Sequence, residues 1–341
     1  MLYSRPRRPS NCVPQNPSRG ANPATILFPS HFTLLGSGTV CIFGGASVRA
    51  SRLVSSLARP NCTTTLFFRS WLSLPRSIKN LIMPTTLADK WVLITGASSG
   101  FGAAAARAFA RQGSKLLLGA RRVDRLEAVV TEAKKAGSPA AHLHALDVAQ
   151  TKSVNEFVAW VKTQTARLDV LINNAGGAKG LDTVAQAKDE DWEFMMQTNV
   201  LGVLRMTRAC LPLMVINPGS TILNIGSIAG HVAYEGGAAY CAAKAAELKI
   251  TQALRLELSG TGVRVGTIDP GLAETEFSIV RFKGDTERAK KVYEGINPLT
   301  AEDIAEALVW AASRPPHVCI DEMLIKCTDQ AAIHKVHRRT K

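Results

Sequence analysis

The chain has 341 residues, 46% hydrophobic and 20% charged, the composition of a soluble globular protein with room for one large or two small domains. Its formal charge of +14 is mostly a property of residues 1–83, which hold ten Lys/Arg and no acid; the remainder, at +4, carries no nucleic-acid footprint. Seven cysteines without a CxxC or Cys/His metal spacing exclude a disulfide framework and a metal cluster, and point to a reducing compartment.

In chain order, residues 1–83 form a basic Ser/Pro/Arg-rich extension. Within it, residues 48–59 (VRASRLVSSLAR) space arginines among serines and aliphatics, as a mitochondrial presequence does. The competing reading starts the folded domain at Met83 (MPTTLADKWVLITG) and makes residues 1–82 a product of a generous gene model. The first reading implies the mitochondrial matrix, the second the cytoplasm. The uncharged stretch 24–48 has the length of a membrane span, but Pro29, His31 and its Gly and Ser/Thr content argue against one.

Residues 84–341 read as one domain. From Trp91 short apolar runs alternate with helical segments: WVLIT, a helix from about Gly100 to Gln112, KLLLG, a helix through Ala133, AHLHALDV, a helix from Thr151, and LDVLINN. A long helix from about Asp189, then STILNIGS, an Ala-rich helix around Tyr240 and VRVGTIDPG follow. Runs this apolar suit strands buried on both faces, and their alternation with helices predicts right-handed crossovers. The expected architecture is α/β, a single Rossmann-type doubly wound parallel sheet with helices on both faces. The segment from Leu272 to Pro298 is longer and more charged than the other connections and reads as a substrate lid, with an ordinary surface helical hairpin as the alternative.

The first strand runs into Thr95-Gly96-Ala97-Ser98-Ser99-Gly100-Phe101-Gly102, followed by an Ala-rich helix. Glycines allow a tight turn and close approach to a pyrophosphate, whose charge meets the amides at the helix start. A dinucleotide site is expected there. The second strand ends in Gly119-Ala120-Arg121-Arg122 with no carboxylate until Asp124. Two guanidinium groups suit the 2′-phosphate of NADP, whereas an NAD site places an acid at this point. Asp147 and Val148, after the third strand, are placed to flank the adenine.

Tyr240 and Lys244 lie four apart in the Ala-rich helix, and Ser227 stands thirteen positions before Tyr240 at the end of an apolar run. Residues four apart share a helix face, so phenol and ammonium can point into one pocket. A fixed positive charge favours phenolate and brings a weak acid into use at neutral pH.

With Asn173-Asn174-Ala175-Gly176, Asn199 and Pro270-Gly271 ahead of Thr275 added to these motifs, the chain from Leu87 onward resembles the short-chain dehydrogenase/reductases. It is most similar to their NADP-dependent 3-hydroxy acid (serine or L-allo-threonine) dehydrogenases, on GARRVDRL, on ETEFSIVRFKGD (274–285) and on the tail. The resemblance implies hydride transfer between NADP(H) and a short 3-hydroxy acid or its 3-oxo acid or semialdehyde. Tyr240 would exchange the proton, Ser227 would bond the reacting oxygen, and Lys244 would hold the nicotinamide ribose and favour the phenolate. Asn199 would join the site to solvent through a water chain, though alone it reads as a helix residue bonded to its own backbone, as Ser227 alone reads as a strand-end turn residue. Asn174, Ala175 and Gly176 would floor the cofactor; Pro270, Gly271 and Thr275 would cover it. Arg281 is the candidate for the substrate carboxylate, with a solvent-exposed or interface arginine as the alternative. His231, Tyr234 and Glu235 follow Ser227 and are expected to shape the pocket. The resemblance also implies a homotetramer and a small-molecule substrate, with neither nucleic acid nor membrane as partner. A broad carbonyl or 3-oxoacyl reductase is the alternative activity, and a non-catalytic NADP-binding scaffold a third reading.

Overall fold

The computed structural model describes residues 86–340. The presequence reading of residues 48–59 and the domain boundary at Met83 therefore fall outside the described residues. Among the described residues no helix is long and apolar enough to cross a membrane.

Seven parallel strands form one sheet in the order β3-β2-β1-β4-β5-β6-β7. They are β1 (Trp91–Thr95), β2 (Lys115–Ala120), β3 (Ala141–Ala145), β4 (Val170–Asn173), β5 (Thr221–Ile225), β6 (Arg264–Pro270) and β7 (Glu322–Ile325). Successive side chains of a strand point to opposite faces. Val92, Ile94, Leu116, Leu118 and Ile172 accordingly join one buried cluster, while Leu93, Leu117 and Leu171 join a second on the other side. Both faces are apolar because both are covered.

On the first face lie α1 (Gly100–Arg111), α2 (Val123–Lys135) and α9 (Ala301–Ala312); on the second lie α3 (Thr151–Gln164), α5 (Gly202–Met214) and α6 (Ala238–Glu257). The alanines of α1 allow close packing: Ala103 through Ala106, Ala108 and Ala110 are all buried. The long helix expected from Asp189 is broken into α4 (Asp189–Met195), a π turn (Met196–Leu201) and α5. Inside that turn the Asn199 amide donates 2.8 Å bonds to the Met195 and Gly177 carbonyls, a side-chain competitor that helix periodicity alone does not reveal.

The segment 272–298 contains two short helices, α7 (Phe277–Arg281) and α8 (Thr286–Lys291). Tyr293 pins it: its hydroxyl lies 2.7 Å from Ser278 Oγ and donates to the Ala273 carbonyl at 2.8 Å. The last sheet strand, β7, alternates exposed and half-buried residues, so it lacks the apolar run that marks the inner strands. A two-stranded antiparallel hairpin, β8 (Gln330–Ala332) with β9 (Lys335–Val336), follows it.

The end of the sheet away from the cleft is braced by Asp169, buried just before β4. It accepts bonds from Lys90 Nζ at 3.0 Å, Trp91 N at 2.9 Å and Asn217 Nδ2 at 3.1 Å. Removing a buried carboxylate strands several donors. Asp169→Ala should lower unfolding free energy by about 3 kcal/mol, read as a lower urea midpoint with an unchanged slope.

Candidate active site

β1 lies between β2 and β4. The chain leaves β1 toward β2 and leaves β4 toward β5, so their connections part and a crevice opens beyond the carboxyl ends of the two strands. Thr95, the last residue of β1, holds those ends together. Its hydroxyl donates to Ile172 O at 3.3 Å and accepts from Asn174 N at 3.0 Å and Ala175 N at 2.9 Å. Two glycines let the loops pack there. Gly96 has φ 65°, and a Cβ on it would stand 2.8 Å from Ala175 Cα; a Cβ on Gly102 would stand 2.5 Å from the Gly96 carbonyl oxygen.

The crevice continues into one cleft of about 570 Å³, within the size range of small-molecule sites. Most of the residues singled out from sequence line it: Gly96, Ser98 to Phe101, Arg121, Arg122, Asp147, Val148, Asn174 to Gly176, Ser227, Tyr240, Lys244, Pro270, Gly271, Thr275 and Arg281. Thr95, Gly102 and Asn199 stand behind the wall rather than on it, Thr95 as the strand brace and Gly102 as the close-packed first turn of α1. Asn199 is 1% exposed; its Oδ1 accepts from Gly177 N at 3.0 Å while its amide serves two backbone carbonyls. His231 is not on the wall either. Its Nε2 lies 2.7 Å from Asp269 Oδ2 and its Nδ1 3.6 Å from Glu322 Oε1.

At one end of the cleft Arg121 is exposed on the wall. Arg122 is half-buried: it donates to Ser99 Oγ at 2.7 Å, to Ser98 Oγ at 3.3 Å and to Glu276 Oε2 at 3.0 Å. Arg125 holds the other oxygen of Glu276 at 2.6 Å. Burial works against the charge on Glu276, but the two guanidinium groups outweigh it and hold the carboxyl below the usual range. Asp147 Oδ1 accepts from Ala149 N at 3.0 Å, which shapes the turn after β3.

In the middle, Tyr240 and Lys244 are both nearly buried on one face of α6, with Lys244 Nζ 6.0 Å from the Tyr240 ring centre. Lys244 is fixed at 2.7 Å to the Ile225 carbonyl at the end of β5 and at 2.7 Å to Glu247 Oε2. Burial opposes the ammonium charge, yet Glu247 and, less strongly, Tyr240 and Asp269 raise the Lys244 pKa above its ordinary value. Ser227 follows β5 in extended conformation and caps a short 3₁₀ turn (Ile228–Gly230), accepting from Ala229 N at 3.1 Å. Sequence reading passed over Glu247, Glu276 and Arg125. For Glu247 the signal was present: it lies three residues after Lys244, on the same helix face.

At the far end Arg281, on α7, stacks on two rings, 5.3 Å from the Tyr234 centre and 5.8 Å from that of Tyr240, and its Nε donates to Gly180 O at 2.9 Å. Burial pushes the Tyr234 phenol up to about 12 against the pull of Arg281, so it stays neutral and able to donate.

A guanidinium pair, a glycine turn at a helix start, and a Ser/Tyr/Lys cluster thus share one cleft. Residues 90–285 match the sequence profile of the short chain dehydrogenase family. The NADP-dependent 3-hydroxy acid dehydrogenase of Schizosaccharomyces pombe is 42% identical over 74% of this chain and 98% of its own length. The sulfoacetaldehyde reductase of Chromohalobacter salexigens is 43% identical over 70% and 94%. Among solved structures, the closed form of a serine dehydrogenase complexed with NADP+ superimposes with a TM-score of 0.68 at 41% identity, covering 73% of this chain and all of that one. The chain belongs to the short-chain dehydrogenase family.

Proposed function

We propose that this protein is an NADP-dependent oxidoreductase that interconverts a short 3-hydroxy acid with its 3-oxo acid or semialdehyde. The observation that carries this reading is the shared cleft, with Ser227, Tyr240 and Lys244 between an arginine-lined end and the ring-stacked Arg281.

The residues fit the cofactor. The left-handed Gly96 brings backbone close to the α1 start, and α1 has no acid in its first turn, so a pyrophosphate would meet only amides there. Arg122, with Ser98 and Ser99, already grips an anion, the Glu276 carboxylate; the 2′-phosphate would offer the same chemistry to this cradle, with Arg121 beside it. Asp147 and Val148 would flank the adenine, and Asn174, Ala175, Gly176, Pro270, Gly271 and Thr275 would enclose the nicotinamide half. When bound, the nicotinamide supplies or accepts the hydride.

Tyr240 would exchange a proton with the substrate oxygen while Ser227 donates a hydrogen bond to it, because both line the cleft beside the cofactor loops. Lys244, held by Ile225 O, would direct its remaining N–H toward the ribose and favour the phenolate. We assign Asn199 to positioning: its side chain fastens the π turn to the loop after β4. Arg281 would bind the substrate carboxylate. Its stacking on the Tyr240 ring would set that anion site next to the reacting group, and the neutral Tyr234 phenol would add a second donor. The sulfoacetaldehyde-reducing relative accords with an anion-reading pocket, since a sulfonate asks for the same donors. Met196, Leu201 and Leu204 are exposed apolar residues on the π turn and α5, which supports assembly into a homotetramer through its long helices.

Tyr240→Phe should reduce turnover by about 10²–10⁴-fold with NADP affinity retained; full activity in a folded variant removes the proton-transfer role. Arg121→Asp should shift the NADP-over-NAD preference in kcat/KM by roughly tenfold or more, and an unchanged ratio assigns the phosphate to Arg122 or another group. Methyl esters of the acids should lose at least about tenfold in kcat/KM. Esters turned over better than acids would instead favour a broad carbonyl or 3-oxoacyl reductase.

A further inference from the structure

Glu247 is 1% exposed, on α6 beneath the Tyr240/Lys244 pair. Its Oε2 lies 2.7 Å from Lys244 Nζ, and its Oε1 has no hydrogen-bond partner. A carboxylate in that place does two things to the lysine. It shares with the Ile225 carbonyl the task of fixing Nζ, and it sets a negative charge against the ammonium that the proposed mechanism relies on. An ammonium alone presents a full positive charge to Tyr240, whereas an ammonium paired with a carboxylate presents a dipole.

We propose that Glu247 is a positioning and charge-balancing residue for the proton transfer, which by offsetting Lys244 delays formation of the Tyr240 phenolate and keeps carbonyl reduction running to higher pH. This inference rests on the reading of Tyr240 and Lys244 given above. Burial pushes the Glu247 carboxyl above the usual carboxylate range against the pull of Lys244, while the pairing holds the ammonium on Lys244. The groups facing Glu247 are few. On its own helix there is Lys244, which Tyr240 also acts on; from β6 there is Asp269, which also raises Glu247 and is itself bonded to Thr267 and to His231 beside the 3₁₀ turn. The packed π turn carries no titratable side chain. In α4, Asp191 is paired with Lys283.

The test compares the full chain with Glu247→Gln and with Glu247→Leu, which keeps an uncharged residue of similar bulk. Rates with NADP(H) are measured from pH 5 to 11 with 3-hydroxypropionate for oxidation and malonate semialdehyde for reduction. In both variants the rising limb for oxidation and the falling limb for reduction should move together to lower pH, by about one unit. Without substrate or cofactor, the phenolate absorbance that Tyr240→Phe removes should develop at correspondingly lower pH in Glu247→Gln. A variant that is slower with both limbs unmoved shows a structural role only and overturns the proposal, as does an unmoved phenolate signal. If the parent chain turns over neither probe while its phenolate signal still shifts on Glu247→Gln, the substrate reading fails and the charge-balancing role stands. If Tyr240→Phe keeps full activity, the reading of the site fails and this inference goes with it.

Discussion

The reversal of strand order at β1 is the constraint from which the rest of the site follows. Two neighbouring strands end side by side while their connections part, and the resulting crevice stays open only if the strand ends are held together beneath it. Thr95 does this with one hydroxyl that donates to β4 and accepts from the two backbone amides after it. A buried hydroxyl with all its bonding capacity used is a rigid joint. Gly96 and Gly102 complete the joint by having no Cβ where backbone passes backbone. The wall at this end of the cleft is therefore set in part by Thr95 and Gly102, which do not themselves line it.

A second polar layer sets the position of α6 against the strands. Asn173 on β4 donates to Asn224 on β5 at 2.9 Å and to Thr207 on α5 at 3.0 Å. Asn224 donates to Thr251 on α6 at 2.7 Å, and Thr251 donates to the Glu247 carbonyl at 2.9 Å. The relay spans two strands and two helices without leaving the interior. Buried amides and hydroxyls bonded in series fix register more sharply than apolar contacts, which tolerate sliding, even though Asn173 Oδ1 itself has no partner. Its end point lies one turn from Lys244, so the distance between the Ser227 turn and the Tyr240 face is set by the same bonds that join strands to helices.

How much of this was legible in the chain depends on whether a residue's partner is local. The glycine turn, the strand-end arginines and the Tyr240/Lys244 pair announce themselves because their meaning lies within a few positions. The doubly wound sheet is equally plain in its inner strands, whose apolar runs answer to burial on both faces. β7 is not, because an edge strand with exposed residues has no such run. Glu276 acquires its role by meeting Arg122 and Arg125, more than 150 residues earlier in the chain, and no spacing rule connects them. The break at the π turn depends on a carboxamide reaching the loop after β4, again a tertiary event. Glu247 is a different case. Its three-residue offset from Lys244 was visible, but a glutamate on an Ala-rich helix reads as solvent-facing until burial is known.

The charges of the cleft form a pattern that neither end explains alone. Arg121, Arg122 and Arg125 gather at one end, with Glu276 from the segment 272–298 clamped between two of them; Arg281, from the helix that follows Glu276 directly, stands at the other over two aromatic rings. Between them Lys244 is paired with a buried carboxylate, so the centre contributes far less net positive charge than either end. A field of this shape favours ligands that are anionic at both extremities and neutral where they meet, as a phosphorylated dinucleotide lying against a small acid would be. Glu276, held by the arginines at one end, and Arg281, over the rings at the other, belong to the same segment. Glu276 is the residue directly before α7, so its position between the arginines and that of Arg281 are tied through one short helix.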